Sequence, residues 1–284
     1  MKIAFKSYGY EDSWTGTIIH MISSMCKVLY GQENIVLKLR VNKNKKEFPL
    51  TKKEQKQRID QLRLGIETIS QRIREGSCTK ELFMDYNTFL QEQRFDYNVK
   101  ESSIYSRDFI CEQDKAFHQM ITLAEQCYEN VYLDCGMEQS YSSQEIIREA
   151  DLTFINLNPE KNILKDVFLR YDLTNYNVCI LLEYDDIKKE KTSNHIFYSY
   201  PFLNADNTIF IPQNKEFKSV NSESNTTNLI YQNIECEPSD TNFLFIEGIK
   251  NTAYKINEIA RIEVSKGEKK NFHTKKLSEV FEVS

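Results

Sequence analysis

Short runs that are mostly apolar on both faces recur along this chain, and they constrain its fold more than any other feature. They stand at 3–5 (IAF), 35–39 (IVLKL), 131–134 (VYLD), 152–157 (LTFINL) and 178–182 (VCILL), with a shorter run at 208–211 (TIFI) that ends at Pro212. A strand with one face in water alternates apolar and polar residues, whereas these runs need cover on both sides. Between them lie stretches with apolar residues at helical spacing. Ile18, Ile19, Ile22, Met25, Cys26 and Leu29 form one such face, stopped by Gly31. Phe109, Ala116, Met120, Leu123, Ala124 and Cys127 form another, over 108–128. Buried strands alternating with amphipathic helices predict an α/β fold, with a mostly parallel central β-sheet and helices on both faces.

In such sheets ligands bind off the carboxyl ends of the strands. The positions to watch are therefore 6–9, 40–42, 134–136, 156–159 and 211–214. Lys6, at the first of these ends, reads as a solvated strand tip. The first strand leads into a polar loop from Ser7 to about Thr15 and then into the first helix. Strand, loop and helix in that order is the usual setting for a phosphate group.

The remaining elements are less regular. A basic loop at 41–53 precedes a helix expected from Thr51. In that helix Ile59, Leu62, Ile66, Ile69 and Ile73 make a narrow seam, either a face packed on the domain or a contact surface for a partner. A further helix is expected at 79–91. Ser142 and Glu145 resemble a capping box. Asn158-Pro159 opens a helix carrying Ile163, Leu164, Val167 and Phe168. Residues 195–200 read as a short strand, 215–220 as a short helix and 222–228 as a loop. Residues 240–259 carry a helical pattern that Gly248 weakens, leaving a break there open. The whole reads as one domain over 1–264, with a variable helical stretch at 43–107 and a polar tail at 265–284.

Composition removes several function classes. The chain has 284 residues, a net charge of −5 and 28% charged residues. It lacks the basic excess of a general nucleic-acid binder. No apolar run approaches the roughly 20 residues that span a bilayer, and the N-terminus has no secretory pattern, so a cytoplasmic location is expected. Seven cysteines, with no C-x-x-C spacing, read as reduced small hydrophobes, and the four histidines show no ligand spacing. No metal site is assigned.

Four segments resemble the MinD/ParA family of deviant P-loop ATPases. They are the N-terminal strand–loop–helix, VYLDCG at 131–136, ADLTFINLNPEKNILKDVF at 150–168 and IFIPQNKEFKSVNSESN at 209–225. The third is the most specific. The resemblance implies a nucleotide loop over Ser13, Trp14, Thr15, Gly16, Thr17 and Ile18. It implies a switch at Asp134 and Gly136, with Asp134 the one catalytic candidate, and base-proximal residues Asn156, Pro212 and Asn214. It implies ATP with Mg²⁺ as cofactor, a bacterial source and pairing of two copies.

Residue by residue, the loop departs from the family. Aligned on Gly16, the K-G-G-x-G-K-[ST] motif falls on Asp12-Ser13-Trp14-Thr15-Gly16-Thr17-Ile18. Both lysines are replaced, by Asp12 and Thr17, and the Mg²⁺-holding hydroxyl by Ile18. A triphosphate needs positive charge and free N–H groups aimed at it, and Glu11 and Asp12 oppose it by about 1 kcal/mol each near a surface. The chain thus reads as a non-hydrolysing scaffold or regulator acting through protein contacts. Within the family, altered loops resemble the positioning proteins of pilus and secretion machines. The alternatives are an active nucleotide-dependent dimerisation switch with a rearranged loop, and an unrelated enzyme on an α/β scaffold. At the C-terminus Leu277, Val280 and Phe281 share a face, but Glu279 and Glu282 oppose docking to anionic lipid.

Overall fold

The computed structural model describes residues 1–8, 12–39, 51–93, 107–136, 141–157, 178–184, 197–198, 200–201, 203–212, 214, 217 and 223–261. Six strands, β1 (Lys2–Tyr8), β2 (Asn34–Lys38), β3 (Asn130–Asp134), β4 (Leu152–Leu157), β5 (Val178–Tyr184) and β6 (Thr208–Pro212), form one sheet in the order β2-β3-β1-β4-β5-β6. Every pairing is parallel. The described helices are α1 (Asp12–Tyr30), α2 (Lys52–Arg74), α3 (Lys80–Gln93), α4 (Arg107–Cys127), α5 (Tyr141–Glu149), α6 (Glu223–Asn233) and α7, across 243–261. The expected α/β class with a parallel sheet covered on both sides is the fold observed.

Two apolar layers flank the sheet. On one side Ile18, Ile19, Ile22 and Met25 of α1 meet Ile3 and Phe5 of β1, Tyr132 of β3 and Phe154 of β4, with Ile230 of α6 and Phe245, Ile249 and Ile256 of α7. The Phe5 ring stacks on Phe154 at 5.0 Å and on Tyr132 at 6.2 Å. Burying each large apolar side chain is worth about 1.5–3 kcal/mol, so this layer fixes α1 against the central strands. On the other side Leu62, Ile66 and Ile69 of α2, Phe83 and Tyr86 of α3, and Phe117 and Met120 of α4 cover Ala4, Ile35, Leu37 and Leu133. The seam of α2 is thus a face packed on the domain. The Tyr86 hydroxyl donates to the Leu62 carbonyl oxygen at 2.6 Å, tying α3 to α2.

Several boundaries differ from expectation. The strand β1 runs through Tyr8 and α1 begins at Asp12, so Ser7, Tyr8 and 12–15, read as loop, belong to strand and helix. Ser142 lies inside α5 rather than capping it. Phe197 and Tyr198 are helical, not extended. Residues 223–228 of the expected loop open α6, which is held by burial of Thr226 and Ile230 and by a 3.1 Å hydroxyl contact between Ser24 and Thr227. The helix α7 passes through Gly248 unbroken. A Cβ there would sit 2.8 Å from the Phe210 carbonyl oxygen, so the glycine lets α7 lie close on β6. Lys6 is only 2% exposed, because β1 is a central strand covered on both faces. Cys111 and Cys127 are exposed rather than core thiols. The helix expected after Asn158-Pro159, most of that at 215–220 and the tail at 265–284 lie outside the described residues.

Candidate functional site

On the α1 side of the sheet, side chains change from apolar to polar toward the carboxyl ends of three neighbouring strands. In β1 the succession is Ile3, Phe5, Ser7; in β3 it is Tyr132, Asp134; in β4 it is Leu152, Phe154, Asn156. Parallel register puts Phe5 level with Asp134 and Ser7 level with Asn156. Paired residues of parallel strands point to the same face, so these polar groups form one row under the first turns of α1.

Thr15 joins the row. The Ser7 hydroxyl donates to Thr15 Oγ1 at 2.9 Å, and the Asn156 Nδ2 donates to the same oxygen at 2.8 Å. All three residues are buried, at 5%, 1% and 2% exposure for Ser7, Thr15 and Asn156. One threonine hydroxyl therefore cross-links β1, α1 and β4. The other amide atom, Asn156 Oδ1, is buried and has no hydrogen-bond partner. Such an orphan costs about 1–3 kcal/mol, and in a native fold it marks a position held for a reason other than packing.

Asp134 closes the row on the β3 side and is fully buried. Its Oδ1 accepts from the Gly136 N–H at 3.2 Å, and the Gly136 carbonyl accepts from the Ser7 N–H at 3.0 Å. Gly136 has φ +57°, a left-handed conformation that a side chain would strain. The Asp134 carboxylate thus caps the turn after β3, and this turn is stitched to β1 beside Ser7.

The other positions expected at the site separate. Gly16 is half-buried, Thr17 is buried, and Ile18 is wholly enclosed in the apolar layer with Ile19 and Ile22. Asp12, Ser13 and Trp14 lie in the opening turn of α1; their side chains are outside the described residues. Pro212 is buried at the end of β6. Asn214 Nδ2 donates to Asn242 Oδ1 at 2.8 Å, so that amide is directed toward α7. The hub formed by Ser7 and Thr15 was not anticipated. Its signal in the sequence is the hydroxyl that follows Ile3 and Phe5 at a spacing of two.

No protein-family profile and no curated protein matches the sequence. Solved structures do. A ParA family ATPase from Chlorobium tepidum TLS superposes with a TM-score of 0.50 at 11% identity, covering 89% of this chain and 98% of that one. The chain has the fold of a ParA-type ATPase. The MinC:MinD cell division complex of Aquifex aeolicus gives 0.47 at 14% identity, over 90% of this chain and 96% of that one. The pNOB8 ParA bound to nonspecific DNA gives 0.43 at 9% identity, over 91% and 99%.

A ParA-type fold raises the question of a Mg²⁺–triphosphate at the β1–α1 turn. The described residues do not fit one. With α1 beginning at Asp12, the N–H groups from Gly16 onward are used within the helix, and those of the first turn alone remain for an anion. Thr17 brings no charge, and Ile18 brings no oxygen and is sealed in the core. Among the described residues no group of three or more His, Cys, Asp or Glu is placed to hold a metal ion. No described helix is long and apolar enough to cross a membrane.

Proposed function

We propose that this chain is a ParA-type fold that works without nucleotide hydrolysis, as a scaffold or regulator acting through contacts with other proteins or with a second copy of itself. The observation that carries the reading is the helical state of 12–18, with Thr15 and Ile18 turned into the protein. A phosphate cradle needs those residues as an open loop with backbone N–H groups pointing at the ligand. Here Thr15 spends its hydroxyl on Ser7 and Asn156 and lies within α1. Asp134 fits the same reading, because its carboxylate caps the Gly136 turn. The process proposed on the family resemblance alone is the positioning or assembly of a pilus or secretion machine. Genes for a secretion or pilus ATPase beside this one would support it, and chromosome-partition genes would oppose it.

Titration calorimetry with ATP and Mg²⁺ tests the central claim. The expected result is no saturable heat, and a light-scattering mass that is the same with ATP, ADP or no nucleotide. Micromolar binding with turnover that Asp134→Ala abolishes would overturn the reading in favour of a nucleotide-driven switch.

A further inference from the structure

The helix α2 carries a second seam on its outer face, besides the buried one. Gln57, Gln61, Leu64, Thr68 and Gln71 follow one another at alternating spacings of four and three, which keeps them on one stripe. All five are exposed, and Leu64 is 63% exposed while Leu62 and Ile66 beside it are buried. The stripe has no charge of its own. It is bounded by Lys53 at one end and Glu75 at the other, both exposed. The helix that presents it is firmly held. Its inner residues Leu62, Ile66 and Ile69 pack on the domain, the Thr51–Glu54 capping box closes its first turn, and the Glu75 N–H donates to the Gln71 carbonyl at 3.0 Å at its end.

The pattern is symmetric about Leu64. Lys53 and Glu75 are equidistant from it in the chain, and so are Gln57 and Gln71. We propose that this face binds a second copy of the chain, with the two α2 helices antiparallel and a two-fold axis at Leu64. Each exposed leucine then covers the other. Gln57 comes opposite the second copy's Gln71, and Lys53 opposite the second copy's Glu75, each contact occurring twice. A parallel pairing would set lysine on lysine and glutamate on glutamate, so charge selects the antiparallel one. On one flank Asp60 and Glu67 each lie one turn from Arg63, which offsets them where two such flanks meet.

The same features argue for a copy over a different partner. An acidic or a basic partner would meet like charge at one end of the stripe. An apolar partner would bury the three glutamine amides without hydrogen bonds, whereas a copy answers amide with amide. With 23 residues α2 is about 35 Å long, so one helix pair makes a small interface and the dimer is reversible. The helix covers the face of the sheet opposite α1, so the pairing goes beyond the reading of the α1 site and does not depend on nucleotide there.

The test is the mass of the intact chain by light scattering over a wide range of protein concentration. The expected result is a rise from monomer to dimer, the same with and without ATP. Lys53→Glu and Glu75→Lys should each weaken pairing about tenfold, and the double variant should restore it. Both single changes suit the helix dipole, an acid near the N-terminus and a base near the C-terminus, so weaker pairing would not reflect a weaker fold. In Leu64→Cys, mild oxidation followed by peptide mapping should give a disulfide between the two introduced thiols as the main intermolecular product. A mass that stays monomeric at every concentration, a double variant that pairs no better than the single ones, or introduced thiols that link elsewhere would overturn the proposal.

Discussion

The decisive substitution at the α1 site is Thr15→Val, which keeps the shape of the side chain and removes the hydroxyl. Thr15 Oγ1 accepts from Ser7 at 2.9 Å and from Asn156 at 2.8 Å, in a place closed to water. Valine would strand two buried donors, each costing about 1–3 kcal/mol. The loss at Asn156 is the heavier one, because its Oδ1 already lacks a partner and the whole amide would then be unsatisfied. Replacing a desolvated hydroxyl by a methyl returns about 1 kcal/mol. With about 2 kcal/mol for each donor the net loss is about 3 kcal/mol, or roughly 6–12 °C in melting temperature for a large chain. Urea denaturation followed by circular dichroism measures it, with the slope against denaturant unchanged. Ser7→Ala should cost less, about 1 kcal/mol, because Asn156 keeps its acceptor. If Thr15→Val leaves stability unchanged, the cross-link is not structural. If it also alters ATP binding, the hydroxyl faces a ligand and the scaffold reading fails with it.

Three further outcomes follow from other parts of the fold. Gly248→Ala gains about 1 kcal/mol of helix propensity but drives a methyl to 2.8 Å from the Phe210 carbonyl oxygen and 3.2 Å from Ile211 Cγ1. Overpacking of about 1–3 kcal/mol should win, so urea melts should show a net loss, and a more stable variant would contradict the close α7–β6 approach. Thr51→Ala removes the cap of α2, where Thr51 Oγ1 accepts from the Glu54 N–H and the Glu54 carboxylate accepts from the Thr51 N–H. A loss of about 0.5–2 kcal/mol is expected, with faster amide exchange confined to the first turn of α2. Burial pushes the Cys26 thiol up from 9.0 to about 12. The unfolded chain gives up that proton first, so the stability is complete below pH 9 and is lost as pH rises toward 12. The slope from this group is about 1.4 kcal/mol per pH unit, and Cys26→Ala should flatten the alkaline limb of a urea series by that amount.

The candidate site was legible in pieces. Asp134, Gly136 and Asn156 stand at strand ends that apolar runs locate without any structure, and the structure brings all three to the α1 edge of the sheet. Nothing in the linear pattern pairs Ser7 with Thr15, because the bond depends on where α1 begins. The helix takes in Asp12 and turns Thr15 inward, shortening a loop that polarity alone extended to Thr15. The sequence placed the start of α2 at Thr51 but not its capping box with Glu54, whereas the box expected at Ser142 is not formed because α5 already begins at Tyr141. Polar residues at 222–228 suggested a loop, yet α6 forms there because Thr226 and Ile230 gain cover from the α1 layer.

By itself the sequence determined the class of the fold. Runs apolar on both faces must be covered twice, and helical periods between them supply the cover, so a parallel sheet between helix layers follows from hydrophobic burial. It also placed α1, from six apolar residues and a terminal glycine. Only the tertiary structure decided which strand lies beside which, that Gly248 is a contact point and not a break, that Lys6 is enclosed, and that Thr15 binds inward. Each of these depends on neighbours distant in the chain, through packing distance or a shared hydrogen bond, and local residue preferences contain no information about either.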